Sequence, residues 1–169
     1  VIPAYNEEDL LARTLRSADG SARALGVPFE VVVADDASTD RTAAIAREHG
    51  AAVVRVDRRQ IAAARNAGAK AAGGELLIFV DADTVVTPEA VRSAVAAMRE
   101  GAVGGGCAVR FDGRLPFYGR LIETFIVPLY RAMGLAAGCF LFCRREAFEA
   151  VGGFDETLAV CEDYDLWLR

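Results

Sequence analysis

The 169 residues predict an α/β fold, a mostly parallel sheet held between two layers of helices. Three observations predict it. Short apolar runs alternate with helical patterns along the first hundred residues, the order that successive βαβ units produce. Leu76-Leu77-Ile78-Phe79-Val80 is apolar without a break, as suits a strand covered on both faces. The helical patterns are bounded by Asn, Thr, Pro and Gly at positions where those residues cap or stop helices.

The elements follow in order. Val1-Ile2 reads as the tail of a first strand. Asn6 is expected to cap a helix whose first turn carries Glu7, Glu8 and Asp9, charges matched to the helix dipole. Leu11, Leu15, Ala18, Ala22 and Leu25 then share one face. Phe29 to Ala34 is predicted as the second strand, ending at Asp35-Asp36. Ser38 or Thr39 should cap the next helix, which runs to about Glu48 before Gly50 stops it. Ala51 to Val56 reads as a third strand, and an Ala-rich helix spans Gln60 to Ala72, closed by Gly73-Gly74.

The apolar run at 76–80 is the fourth strand. Thr87-Pro88-Glu89 is a helix start with Thr as cap and Pro at the first helical position, and Val91, Ala94, Val95 and Met98 give that helix an apolar stripe. Val103 to Val109 reads as a further strand, Leu121 to Met133 as a partly apolar helix, and Cys139 to Cys143 as one more strand. Leu166-Trp167-Leu168-Arg169 lies in an apparent helix. The first hundred residues therefore form a nucleotide-binding type of half and the remainder a more irregular one.

Composition narrows the function classes. A 53% hydrophobic and 25% charged chain of this length is one globular domain with a substantial core. A net charge of −5 gives no electrostatic ground for nucleic-acid binding. Lys70 is the sole lysine, and an arginine-rich surface is compatible with bidentate phosphate contacts. Cys107, Cys139, Cys143 and Cys161 make neither a Cys-x-x-Cys pair nor a zinc pattern with His49, and read as small buried hydrophobes in a reducing compartment. No apolar segment reaches membrane-spanning length. The chain opens on Val1 and stops inside a helical pattern, so it is expected to be one domain, 1–169, cut from a longer protein.

Three strand ends carry polar groups: Tyr5-Asn6, Asp35-Asp36 and Asp81-Ala82-Asp83. Parallel strands would line all three along one edge, where open α/β sheets bind their ligands. An aromatic ring, a carboxylate that accepts from a base N–H and a carboxylate that binds a divalent cation together suit a nucleotide diphosphate.

Val1-Ile2-Pro3-Ala4-Tyr5-Asn6-Glu7-Glu8, Asp35-Asp36-Ala37-Ser38-Thr39-Asp40 and Asp81-Ala82-Asp83 resemble, in that order, the signatures of glycosyltransferase family 2. Ala64-Arg65-Asn66-Ala67-Gly68 resembles the segment that precedes the metal motif, and Gly152-Gly153-Phe154-Asp155 with Glu162-Asp163 resemble the acceptor-side motifs. The resemblance implies a GT-A fold, a Rossmann-like α/β/α domain that uses a nucleotide-sugar donor and Mn²⁺ or Mg²⁺. It also implies a donor-binding half over 1–100 and an acceptor-side half over 101–169.

Residue by residue, the resemblance implies that Pro3, Tyr5, Asp36, Arg65, Asp81 and Asp83 bind the donor. Tyr5 would stack near the base, Asp36 accept from it, Asp81 contact ribose or sugar, and Asp83 ligate the metal through its DXD motif. Asp35 would be structural or ribose-facing. For Arg65 an exposed arginine on a helix is the plainer alternative. Asp163 matches the general base, a carboxylate that takes the acceptor hydroxyl's proton as the oxygen attacks the anomeric carbon. A single displacement would invert that centre. Asp165, two positions on, would point elsewhere, and Glu162 would cap the helix or orient an acceptor.

The implied partners are a UDP-, GDP- or dTDP-linked donor and a hydroxyl acceptor on a glycan, lipid or small molecule. The implied location is the cytoplasm, with peripheral contact at the inner face of the membrane as an option for the apolar residues Leu121, Ile122, Phe125, Ile126, Val127 and Leu129. A core helix is the simpler reading of that stretch. Two rival functions fit parts of the sequence. Phe79-Val80-Asp81-Ala82-Asp83-Thr84 also fits a haloacid-dehalogenase-like phosphatase with Asp81 as nucleophile, although the sole lysine precedes that motif. A nucleotide-sugar-binding module without turnover is the other.

Overall fold

The computed structural model describes residues 1–108, 110, 124–125, 138–158 and 160–169. Ile2–Ala4 (β1), Val32–Asp36 (β2) and Ala52–Val56 (β3) form a parallel sheet in the order β1-β2-β3. Leu76–Val80 (β4), Gly104–Gly106 (β5) and Phe140–Arg144 (β6) form an antiparallel sheet in the order β4-β6-β5. Two backbone hydrogen bonds join them. The Val1 nitrogen donates to the Ile78 carbonyl at 2.8 Å, and the Val80 N–H donates to the Val1 carbonyl at 3.0 Å. One residue bonded to positions on either side of its neighbour is the parallel pattern. β4 therefore runs beside β1 in the same direction, and the strands follow as β3-β2-β1-β4-β6-β5.

Helices cover both faces. Leu11–Arg23 (α1), Thr42–Glu48 (α2) and Pro88–Arg99 (α4) pack on one side, and Ile61–Ala71 (α3), Arg145–Ala150 (α5) and Glu162–Leu168 (α6) on the other. Alternation along β4 divides its side chains between the layers. Val80 joins Leu11, Leu15, Val91, Val95 and Met98, whereas Leu77 and Phe79 join Ala62, Ala69, Phe148 and Phe154. Phe79 lies 5.4 Å from Phe148 and 5.1 Å from Phe154, ring centre to ring centre, within the range of favourable aromatic pairs. The α/β class, the parallel first half and the six strands among the described residues agree with the sequence. The antiparallel insertion of β6 between β4 and β5 is the feature that alternation of elements could not predict.

Boundaries differ for tertiary reasons. α1 starts at Leu11, not just after Asn6. Asn6 adopts a left-handed backbone (φ 53°), tolerable for Asn, and its side chain serves the neighbouring loop instead. β2 includes both aspartates, paired with Arg55 and Val56 of β3, while Phe29 stays exposed. α2 starts at Thr42, where Asp40 Oδ1 takes the Thr42 N–H at 2.9 Å, so neither Ser38 nor Thr39 caps it. Thr87 caps α4 as expected, accepting from the Ala90 N–H at 3.3 Å, and the Val91, Ala94, Val95, Met98 stripe is buried. The helix expected over Leu121 to Met133 lies outside the described residues except for 124–125.

Where β6 ends, successive arginines reach in opposite directions. Arg144 donates to the Ala102 and Met98 carbonyls at the end of α4. Arg145 donates to the Ala69, Ala72 and Gly74 carbonyls at the end of α3. Each thereby supplies extra donors to carbonyls in and just past the last turn of a helix.

Candidate active site

The carboxyl ends of β1, β2 and β4 lie on one edge because these strands are parallel. β1 delivers Tyr5, 42% exposed, with the Arg59 guanidinium 4.0 Å from its ring centre, a cation–π contact. Side chains stitch this end to its neighbour. The Asn6 N–H donates to Ser38 Oγ at 3.0 Å, the Thr39 N–H to Asn6 Oδ1 at 2.8 Å, and the Glu7 N–H to Thr42 Oγ1 at 2.8 Å.

Pro3 is buried within β1, opposite Ala34. By alternation its nitrogen faces β4, and proline has no N–H to give. The β1–β4 ladder therefore stops at Val1, and the chain after Val80 is free to turn. Pro3 thus sits buried at the base of the rim, opposite Ala34.

Asp35 and Asp36 are both buried, 3% and 4% exposed. Asp35 Oδ1 accepts the Ser38 N–H at 3.2 Å, which closes its own turn. Asp36 accepts the Arg58 N–H at 2.8 Å and the Gln60 N–H at 2.7 Å, one on each oxygen. Gln60 is the capping position of α3. The residue expected to meet the base thus holds the loop that carries Arg59 against Tyr5.

β4 delivers Asp81 and Asp83. Between them the buried Ala82 accepts the Thr14 hydroxyl at 2.7 Å, tying the turn to α1. Asp83 is exposed, with only Thr84 Oγ1 at 3.4 Å on its side chain among the described hydrogen bonds. Burial raises the carboxyl of Glu7 above its ordinary value, and the charges of Asp83, Asp40 and Asp81 raise it further. Burial likewise raises Asp81, opposed by Arg65 and reinforced by Asp83 and Glu162. Burial, then Asp81 and Asp83, push the Cys139 thiol up to about 11. Asp81, Asp83 and Glu7 thus lie near enough to feel one another, with Arg65 offsetting the charge of Asp81.

Arg65 is not an exposed arginine; it reaches the rim from beneath, through Asp81. It is 1% exposed, with Nη1 donating to Glu162 Oε1 at 2.7 Å and Nη2 to Asp81 Oδ1 at 2.9 Å and to the Gly138 carbonyl at 3.1 Å. Its guanidinium stands 5.2 Å from the Phe154 ring centre. The next residue, Asn66, both donates to the Phe154 carbonyl and accepts its N–H, each at 2.9 Å. At Gly68 a Cβ would collide with Val1, so glycine lets α3 lie close on the sheet. The motif at 64–68 is a packing surface that joins the two halves of the chain.

Glu162 opens α6, and Asp163 follows, half-buried. Asp163 Oδ1 accepts the Tyr164 N–H at 2.9 Å, and its Oδ2 lies where a Cβ on Gly138 would stand, 2.5 Å away. Asp165 pairs with Arg169 at 2.7 Å and points elsewhere, as expected. Sequence reasoning missed three neighbours of the site. Glu7 was legible only as a helix-dipole charge, Arg59 carried no pattern, and Gly138 gave no signal at all.

No three His, Cys, Asp or Glu among the described residues stand close enough to hold a metal by themselves. An exposed carboxylate with further acidic side chains beside it suits a cation whose remaining ligands are substrate phosphates. An apolar cavity of about 830 Å³, lined by Val1, Leu25, Phe29, Leu76 and Ile78 among others, opens at the other edge of the sheet, away from these carboxylates.

The sequence pattern of Glycosyl transferase family 2 matches residues 1–152. An undecaprenyl-phosphate 4-deoxy-4-formamido-L-arabinose transferase of Pseudomonas paraeruginosa is 40% identical over 163 residues, covering 89% of this chain and 48% of that protein. Among solved structures, a mannosyltransferase from Pyrobaculum calidifontis in complex with GDP-Man and Mn²⁺ superposes with a TM-score of 0.77 at 23% identity, covering 96% of this chain and 48% of that one. Glucosyl-3-phosphoglycerate synthase from Mycobacterium tuberculosis, with Mn²⁺, UDP and glucosyl-3-phosphoglycerate, gives 0.63 at 24% identity, over 87% and 56%. Both structures are GT-A transferases, so the expected fold is the observed one. The chain spans about half the length of these proteins.

Proposed function

Because the chain belongs to glycosyltransferase family 2, we propose that it transfers a sugar from a nucleotide-diphosphate donor to an acceptor hydroxyl, with inversion. One observation carries the reading: an exposed aromatic ring, an exposed carboxylate at the end of β4 and a half-buried carboxylate on α6 are drawn to the same sheet edge. In this reading 1–169 is one catalytic domain, with donor contacts from 1–100 and acceptor contacts from 101–169.

Tyr5 offers its face to the base. Asp36 supports that subsite by fixing 58–60, its 4% exposure leaving little surface for a direct bond. Asp81, held by Arg65, faces ribose or sugar. Asp83 holds Mn²⁺ or Mg²⁺, which when bound supplies Lewis-acid stabilisation to the leaving diphosphate. Asp163 accepts the acceptor's proton while the acceptor oxygen bonds the anomeric carbon. The carbon–oxygen bond to the diphosphate breaks on the opposite face, and the diphosphate leaves with the electron pair.

The donor nucleotide is UDP, GDP or dTDP. The acceptor is a glycan, a lipid or a small molecule. The Pseudomonas relative is named for a lipid-phosphate substrate, which supports a cytoplasmic site of action at the inner membrane face. No helix among the described residues is long and apolar enough to cross a membrane. The phosphatase alternative is not favoured: Asp81, its nucleophile, is tied to Arg65 at 2.9 Å. The test is thermal shift across nucleotides and nucleotide sugars, with and without Mn²⁺. A donor at one hundred times its Kd should add about 2.7 kcal/mol of stability, and the shift should require the metal. Failure of every nucleotide to stabilise the protein would refute the reading.

A further inference from the structure

We infer that Arg65 is a positioning residue, acting through Glu162 to hold Asp163 in register with the strand end that bears Asp81 and Asp83. The inference rests on the transferase reading and deepens it. It departs from the expected donor contact, because a guanidinium 1% exposed and already donating to Glu162, Asp81 and Gly138 cannot reach a diphosphate without opening the core.

The geometry defines what Arg65 links. Nη2 grips the end of β4 through Asp81 and the approach to β6 through the Gly138 carbonyl. Nη1 grips Glu162, the first residue of α6, and Asp163 comes next in that turn. Gly138 closes the circuit, since its Cα lies under Asp163 Oδ2 while its carbonyl accepts from Arg65. A planar fork with several donors in fixed directions can hold three acceptors at once, which an ammonium on a flexible stem does poorly. The far end of α6 has its own anchor, Arg169 on the Val151 and Gly153 carbonyls at 2.8 Å each. Loss of Arg65 would therefore free the first turn, where Asp163 sits, without detaching the helix.

The test separates donor binding from turnover. The probes are UDP-, GDP- and dTDP-linked hexoses with Mn²⁺. Kd is read by calorimetry and kcat by release of nucleotide diphosphate to water. Arg65→Lys keeps the charge but not the fork. Its kcat should fall a hundredfold or more, while Kd, which also feels the loss of the Arg65–Asp81 bond, should rise by no more than about tenfold. Glu162→Ala should behave alike, and Glu162→Gln, whose amide oxygen still accepts from Nη1, should recover at least tenfold of the lost kcat.

Equal losses of affinity and kcat in Arg65→Lys would make Arg65 a donor contact and overturn the inference. So would a Glu162→Ala variant whose kcat stays within threefold of the parent's. If circular dichroism shows Arg65→Lys unfolded, the two Glu162 variants decide. A parent protein that binds no nucleotide sugar fails the transferase reading and this inference with it. A parent that binds and turns over while its variants lose both together fails the inference alone.

Discussion

The ends of β2 and β4 carry the same residue type on the same edge, yet their carboxylates do opposite work. Asp36 is buried, and each oxygen takes a backbone N–H of the loop that leads into α3. Asp83 is exposed, weakly partnered, and surrounded by further negative charge. α6 repeats the contrast within two residues, with Glu162 committed to Arg65 and Asp163 left half-buried beside Gly138. The difference lies in the partners. A carboxylate whose lone pairs are filled by its own chain contributes stability, and one left in surplus charge is available for a ligand.

Substitutions can break or sharpen that contrast. The largest effect should come from Asp163→Asn, which should leave donor affinity intact and lower turnover by two or more orders of magnitude, about what a lost general base costs. Single-turnover release of nucleotide measures it. Asp83→Ala should weaken Mn²⁺-dependent nucleotide binding by about a hundredfold, near 2.7 kcal/mol. Its stability in urea should move by no more than about 0.5 kcal/mol, as for most exposed positions.

Asp36→Ala should show the reverse. Two backbone donors lose a charged acceptor, so the urea midpoint should report a loss of about 2–3 kcal/mol, with donor affinity falling only as the 58–60 loop loosens. If Asp83→Ala destabilises more than Asp36→Ala, the contrast is wrong.

Glu7→Gln should have the smallest effect. The Glu7 carboxyl is raised by burial and by its acidic neighbours, so its ionised form opposes folding above its ordinary value. That opposition fades as pH falls through the raised value. The neutral amide should therefore raise stability slightly at pH 7 without metal, by no more than about 0.5 kcal/mol, read as a small rise in Tm. The gain should shrink in Mn²⁺ with nucleotide, and it should vanish in acid.

Much of this was legible from local pattern. β3, β4, α3 and α4 carry their own periodicity and punctuation, and the motifs at strand ends converge because parallel strands must align them. What was not legible depended on distant partners. Asn6 looked like a helix cap because nothing nearby revealed that Thr39 would claim its side chain. Arg65 looked like a surface cation on an alanine-rich helix, since its partner Glu162 lies 97 positions away. Nothing around Asp36 announced the two amides it accepts, which belong to a loop more than twenty residues on. Residue type announced the chemistry, while the third dimension decided which carboxylates remained free for it.

The paired arginines at the end of β6 have a consequence for how the domain holds together. Arg144 seals one helix of the upper layer and Arg145 one of the lower, so a single dipeptide fastens both sides of the sandwich. Its strand slots between β4 and β5, which precede it by more than thirty residues. Damage at this latch would loosen both layers in one event, and the domain would fail as a unit where a simple surface contact would only fray.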